Sequence, residues 1–531
     1  MTPRRRATLS VAAAVGALAA ATAPGTAAAA TESIVLMAPG VSPVAARHVI
    51  AASGGTITRR VPMINAYGVR ASAAATAGLA RAGGVRSVTP NVAWRPAGAT
   101  TRPAPASGTA GIAAKSAPAP SPTATSPLVT SFNESLSTPA AWTSAYRATG
   151  KGVGVAVIDT GVAGGVPDFR TSRTDPTSRV VASVVTNPHA TTATDAYGHG
   201  THVAGLIAGN GSARPFGDPL AGRYSGTAPE AQIVSVKASD DHGNATLLDV
   251  IYGLQFVVDN RAAYNIRVVN LSLESSAPQP YRVDPLDAAV EAAWRRGIVV
   301  VAAAGNRGTA TDAVMYAPGN DPYVLSVGAV DDRGTKSPSD DTLATWSSRG
   351  VTQDGVRKPE VLAPGARMVS VLAPGSDFAT LCPSCVVSGQ YIRIGGTSMS
   401  AAVASGVVAD ILQAHPTWTP DQVKAAIVGT TRTVAGTGPE ISATAAIKAD
   451  PDKLPRVNVG LTASTLLDAS GSIDWTRASW SRASWSRAAD PLRASWSRAS
   501  WSCACSLDAS GAVDPARASW SRASWSAAWD K

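Results

Sequence analysis

Histidine is scarce in this chain, six in 531 residues, and cysteine is scarcer, at four. A chain so poor in both cannot build serial Cys/His zinc modules. The cysteines fall as Cys382-Pro-Ser-Cys385 and Cys503-Ala-Cys505. Neither pair has a histidine or acid beside it at zinc-finger spacing. In an exported chain the first pair is expected to close a small disulfide loop. Charged residues are few as well, at 15%, and the formal charge of +10 is unevenly spread. Residues 1–127 carry 12 Lys and Arg against one acid, residues 128–450 carry 24 against 28, and residues 451–531 carry 10 against 7. Nucleic-acid binding needs Lys and Arg clustered on the folded body. Here the body is mildly acidic, which argues against nucleic acid as a partner. Long apolar runs are missing too. Residues 7–21 are apolar but too short for a comfortable membrane span, and no later stretch reaches eighteen uninterrupted apolar residues.

What is present divides into five parts. Residues 1–30 hold Arg4-Arg5-Arg6, the short apolar run and a small-residue stretch ending at Ala30, the pattern of a secretory signal peptide. Residues 31–95 read as strand, helix, strand, strand, helix, strand, a small ferredoxin-like α+β unit whose last strand is "VRSVTPNVAW". Residues 96–127 are Pro/Ala/Ser-rich and read as a linker. Residues 128–450 alternate apolar runs such as "GVGVAVID", "IRVVNLSL" and "GIVVVAAAGN" with helical stretches. Strands apolar at every position are buried on both faces, so an α/β body with a mostly parallel sheet is expected. One helix, "TPDQVKAAIVG", opens with Thr419 and Gln422 at capping-box spacing.

Residues 451–531 repeat "RASWS", and eight of the thirteen tryptophans lie there. A five-residue period suits neither a helix face nor a strand face. The segment reads as a poorly ordered tail. Alternatively, its Trp and Arg form a surface module that stacks on cell-wall polymer.

Two of the six histidines sit three apart in "GHGTHVAGLIAG", as His199 and His202. A helical metalloprotease site needs spacing four with a Glu between, and neither holds here. A histidine that ends a loop before an apolar helix is placed to face a cleft. A catalytic base also needs an orienting acid and a nucleophile. Asp159 ends the run "GVAVID", at the strand terminus where α/β sites gather. Ser398 follows two glycines in "GGTSMSAA" and opens a long apolar helix, whose N–H groups favour a developing anion. Asn306 ends the run "VVVAAAGN". Taken singly, these are a strand-end cap, an N-cap serine and a turn residue.

Taken together, in the order Asp, His, Ser, they resemble the subtilisin-like (subtilase) serine proteases. The matching text, in order over roughly 150–430, includes "VAVIDTGV", "GHGTHVAGLIAG", "VVNLSL", "VVVAAAGN", "KPEVLAPG" and "GTSMSAA". The resemblance implies a three-layer subtilisin-like fold and a secreted, self-processed endopeptidase. It makes Asp159 the acid, His199 the base, Ser398 the nucleophile, and Asn306 with the Ser398 N–H the oxyanion hole. His202 becomes structural. Ser272-Leu273-Glu274 and Gly243-Asn244-Ala245 become edge strands that pair with an extended peptide, and Ala303-Ala304-Gly305 line the P1 pocket. Residues 31–95 become an inhibitory propeptide. Protein and peptide substrates follow, and no cofactor is required.

The sequence departs from the family in three places. Glu274 stands where the family has Gly, which narrows or charges the pocket rim. Ala402-Val403 replace the usual Pro-His. Asp168 matches a calcium-binding Asp, but "GNGSARPFGDPLAGRY" replaces the companion loop, leaving Asp168 a lone calcium candidate. The competing function, an inactive peptide-binding protein on the same body, is disfavoured because all four reacting positions are intact.

Overall fold

A computed structural model describes residues 30–38, 40–96, 130–214, 217–434 and 438–467. Apart from Ala30 and Pro96, the expected export signal and Pro-rich linker fall outside these residues, as do the "RASWS" repeats.

The first unit runs β1 (Thr31–Met37), α1 (Pro43–Ala52), β2 (Thr56–Val61), β3 (Ala66–Ala71), α2 (Ala73–Leu79) and β4 (Val85–Pro90). Its sheet has the order β2-β3-β1-β4 with every neighbour antiparallel. The run "SIVLM" in β1 is apolar on both faces, and both faces are used. Val35 and Met37 join Ile50 and Leu79 in a core private to the unit. Ile34 and Leu36 point the other way, into the core of the main body. Period-2 alternation thus lets one strand build one core and dock on another.

The single strand expected over "VRSVTPNVAW" is two strands. β4 stops at Pro90, and β5 (Ala93–Pro96) leaves for a different sheet. The break is held by Asn91, whose Nδ2 donates to Glu32 at 2.6 Å and whose Oδ1 accepts from Leu248 N at 2.9 Å.

The body is built on a ten-stranded sheet. From one edge it runs 432–434, 438–440, 361–364, β13 (Leu325–Asp331), β12 (Val299–Ala303), β10 (Ile266–Leu271), β6 (Gly154–Asp159), β8 (Gln232–Lys237) and β7 (Val180–Val185). Neighbours along this path are parallel except for the outer hairpin 432–434/438–440, and strand 342–343 adds an antiparallel pair at β13. Every residue of β6 and β12 is buried. Both sheet faces are therefore covered. α3 (His199–Ala208) packs with α6 (Thr397–Ala414), and α4 (Leu247–Asn260) packs with α5 (Pro285–Trp294). α7 (Pro420–Gly429) begins with the expected capping box of Thr419 and Gln422.

The body continues past residue 450, where the tail was expected to start. Leu466 and Leu467 are buried, and Thr465 N donates to Arg282 O at 2.8 Å. Composition bias begins at the repeats, but the packed chain reaches Leu467.

Candidate active site

Asp159 is the last residue of β6, and His199 is the first of α3. Both are wholly buried, and His199 Nδ1 lies 2.7 Å from Asp159 Oδ1. Thr160 N also donates to Asp159 Oδ1, at 2.7 Å. A second buried acid, Asp195, holds this geometry. Its Oδ1 accepts from Gly198 N at 2.7 Å and Thr160 Oγ1 at 2.9 Å, and its Oδ2 from Thr201 N at 2.8 Å and Thr201 Oγ1 at 2.7 Å. Thr160 Oγ1 in turn accepts from Gly200 N at 2.9 Å. The start of α3 is thereby tied to the turn after β6. The approach is so close that a Cβ on Gly200 would stand 2.2 Å from Gly161 O, which explains the glycine between the histidine and threonine of "HGT".

Ser398 lies in the first turn of α6, next to Thr397, which is bonded to Asn306. Asn306 Oδ1 accepts from Thr397 N and from Thr397 Oγ1, both at 2.9 Å. A backbone N–H can only donate, so the amide oxygen must face Thr397 and Nδ2 must face away. That nitrogen and the Ser398 N–H border one space, 3.1 Å and 3.8 Å from where a Cβ on Gly396 would stand. Two N–H donors therefore border the space at Gly396, two residues before Ser398. Ser398 Oγ itself donates to Ser272 O at 3.2 Å, and Ser272 Oγ donates to Ser398 O at 2.8 Å.

The cleft beside Ser398 holds a length of the chain itself. β5 lies between β11 (Leu273–Ser275) and β9 (Ala245–Thr246), antiparallel to both. Pro96 pairs with Leu273, Arg95 with Glu274, and Trp94 with Ser275 and Ala245. Leu273, Glu274 and Ala245 are thus strand residues paired with the chain's own β5. Gly243 and Asn244 are not. Gly243 turns at φ +80°, and Asn244 N donates to Asp240 Oδ1 at 2.8 Å, so this pair forms the turn that delivers β9. Ala303 ends β12, Ala304 N donates to Val327 O at 3.0 Å, and Gly305 N donates to Thr397 Oγ1 at 3.1 Å.

A sequence model of the subtilase (peptidase S8) family matches residues 150–449, more than half of the chain. The chain belongs to the subtilase family. It is 37% identical over 307 residues to the serine protease AprX of Bacillus subtilis (strain 168), an alignment covering 57% of this chain and 66% of AprX. It is 34% identical over 282 residues to a subtilisin of Bacillus pumilus, covering 52% of this chain and 82% of that one. For subtilisin E of Bacillus subtilis (strain 168) the identity is also 34%, over 59% of that protein. The chain thus spans somewhat less than two thirds of AprX and of subtilisin E. Among solved structures, fervidolysin from Fervidobacterium pennivorans, a keratinolytic enzyme related to subtilisin, superposes with a TM-score of 0.58. That match covers 81% of this chain and 62% of fervidolysin at 23% identity, and it shows a common fold.

In this subtilase His202 takes no part in the cleft. Its Nε2 lies 3.2 Å from both Met368 O and Ile392 O, and burial pulls its pKa down to about 3. It is a neutral clamp under two strands. Asp168, the lone calcium candidate, is already engaged by protein donors. Its carboxylate accepts Gly211 N at 2.9 Å, Ala213 N at 2.7 Å and the Tyr391 hydroxyl at 3.2 Å. Those hydrogens take three of the about four lone-pair sites that a calcium ligand turns toward the cation. Burial pushes this carboxyl up to about 6. Among the described residues no group of three or more His, Cys, Asp or Glu is arranged to hold a metal ion.

Two parts of the subtilase site escape sequence reasoning. Asp195, three residues before Gly198, carries the spacing of a helix cap and nothing more. The other is the placement of the cysteine loop beside His199, since the disulfide itself was expected. Cys382 and Cys385 are disulfide-bonded. The short helix just before them, Asp377–Leu381, places the Phe378 ring edge-on to His199 with centroids 6.2 Å apart. Phe378 N donates to Tyr197 O at 3.1 Å, which ties this loop to the approach of α3.

Proposed function

We propose that this subtilase is a secreted serine endopeptidase made as a self-processed precursor. The observation that carries the reading is the buried Asp159–His199 contact of 2.7 Å, with Ser398 and the Asn306 amide at the neighbouring helix start. In the proposed reaction Ser398 Oγ turns from Ser272 O to His199 and attacks the carbonyl carbon of an extended peptide. His199 Nε2 takes the hydroxyl proton, and Asp159 holds the other ring nitrogen and offsets the imidazolium charge. Asn306 Nδ2 and the Ser398 N–H donate to the oxyanion. His199 then protonates the leaving amine, and water releases the acyl group by the reverse path.

The inhibitory-propeptide reading draws support from β5. Residues 31–96 dock on α4 through the Arg59–Asp249 ion pair and the Met63 N bond to Gln255 Oε1 at 2.7 Å, and their last strand lies in the substrate cleft. β5 ends at Pro96, one register position short of Ser272, whose carbonyl accepts from Ser398 Oγ. The first self-cleavage is therefore assigned to the bond after Ala97. Export rests on the signal-like residues 1–30, and no described helix is long and apolar enough to cross a membrane.

Ser398→Ala should lose casein hydrolysis and be secreted as a precursor that begins near residue 31. The wild type should begin at Gly98 or a later residue. Wild-type turnover by the variant would contradict the mechanism. Prompt cutting of the purified variant would contradict self-processing.

A further inference from the structure

We infer that Glu274 plugs the side-chain pocket beside Ser398 and restricts cleavage to bonds that follow small residues such as Ala, Gly or Ser. This rests on the endopeptidase reading above. A peptide that follows β5 passes Leu273 and reaches Ser398 beside Ser272. There its side chain faces the gap between β11 and residues 304–306, a segment tied to the residue before Ser398 by the Gly305 N bond to Thr397 Oγ1 at 3.1 Å.

That gap is filled. The Glu274 side chain is buried, and a Cβ on Gly305 would stand 2.7 Å from Glu274 Oε2 and 2.9 Å from Ser348 Oγ. An aromatic ring held between two walls needs roughly 7 Å, twice the ordinary carbon contact distance. Here the carboxylate touches the opposite wall.

The plug is braced. Arg307 Nε and Nη2 donate to Glu274 Oε1 at 3.1 and 3.0 Å, and Arg307 N donates to Ser348 Oγ at 2.9 Å. The guanidinium lies 3.9 Å from the centroid of the Tyr316 ring and 3.6 Å from Asp312. A carboxylate paired in this way is a wall, not a receptor for a basic side chain, since its charge is already met. The chain's own sequence agrees: after Pro96 come Ala97, Gly98 and Ala99.

The test uses mature enzyme and p-nitroanilides of Trp-Arg-Pro-X with X = Ala, Leu, Phe or Lys, with active sites counted by a fluorophosphonate probe. The wild type should prefer Ala over Phe by at least about tenfold in kcat/KM, the scale of discrimination by an apolar pocket. Glu274→Gly should raise kcat/KM for Phe and Leu while Ala changes least. Glu274→Gln, of equal size, should keep the wild-type order. A labelled wild type that cuts Phe as fast as Ala overturns the inference. So does a preference for Lys that Glu274→Gln abolishes, since it makes charge the determinant. A wild type that takes no label overturns the endopeptidase reading instead.

Discussion

Asn306 makes three demands on one amide: accept from Thr397 N, accept from Thr397 Oγ1, and leave Nδ2 aimed at the space beside Ser398. Asn306→Ala leaves Asp159, His199 and Ser398 in place and removes one donor that, on the proposed mechanism, matters only once negative charge develops. Loss of such a donor costs roughly 10²–10³ in kcat, a magnitude set by subtilisin itself. Steady-state kinetics should show that loss with KM little changed, and a change confined to KM would assign Asn306 to substrate binding. The candidate triad was legible because each member ends an apolar strand run or opens an apolar helix, and their order is that of the family. Asp195 and Thr397 were not. They act through hydrogen bonds to backbone N–H and neighbouring side chains, and nothing in their own residue types distinguishes that role from ordinary capping.

Helix α5 shows what an element's register buries. Its N-cap Asp284, with Asp287 and Glu291 one and two turns on, faces Asp321, and Lys358 lies within electrostatic reach. The Glu291 carboxylate accepts from Ser464 N at 2.8 and 3.0 Å. Burial, reinforced by Asp321, pushes Glu291 up to about 9, and burial pushes Asp321 up to about 7 and Asp284 to about 6. Such groups hold their protons more tightly folded than unfolded. The stability they add is complete below the ordinary carboxylate range and is lost as pH rises through the folded values. In the Ser398→Ala background, which prevents self-digestion, Tm should fall between about pH 5 and pH 9. Glu291→Gln, always neutral, should fall less steeply, and an equally steep slope would remove Glu291 from the explanation. At this scale the parallel sheet and the capping box of α7 were readable, because local pattern encodes them. The split of "VRSVTPNVAW" was not, because β5 is defined by its partners β11 and β9, more than a hundred residues away.

As a whole molecule the chain is a subtilase body that carries its own strand in its cleft. Its packed boundary is set by long-range contacts rather than by composition. Residues 451–467 read as the start of a biased tail, yet the Tyr281 hydroxyl donates to Thr462 O at 2.7 Å and Ser464 N donates to the Glu291 carboxylate. The strand in the cleft and the oriented triad belong to one claim, that Ser398 is a nucleophile activated by His199 and Asp159. The most direct measurement is to treat the mature protein with a fluorophosphonate and map the adduct by peptide mass spectrometry. A single adduct on the peptide holding Ser398, lost in His199→Ala while that variant stays folded, is the predicted result. A folded, mature protein with no adduct, or with the adduct on another serine, would contradict the account.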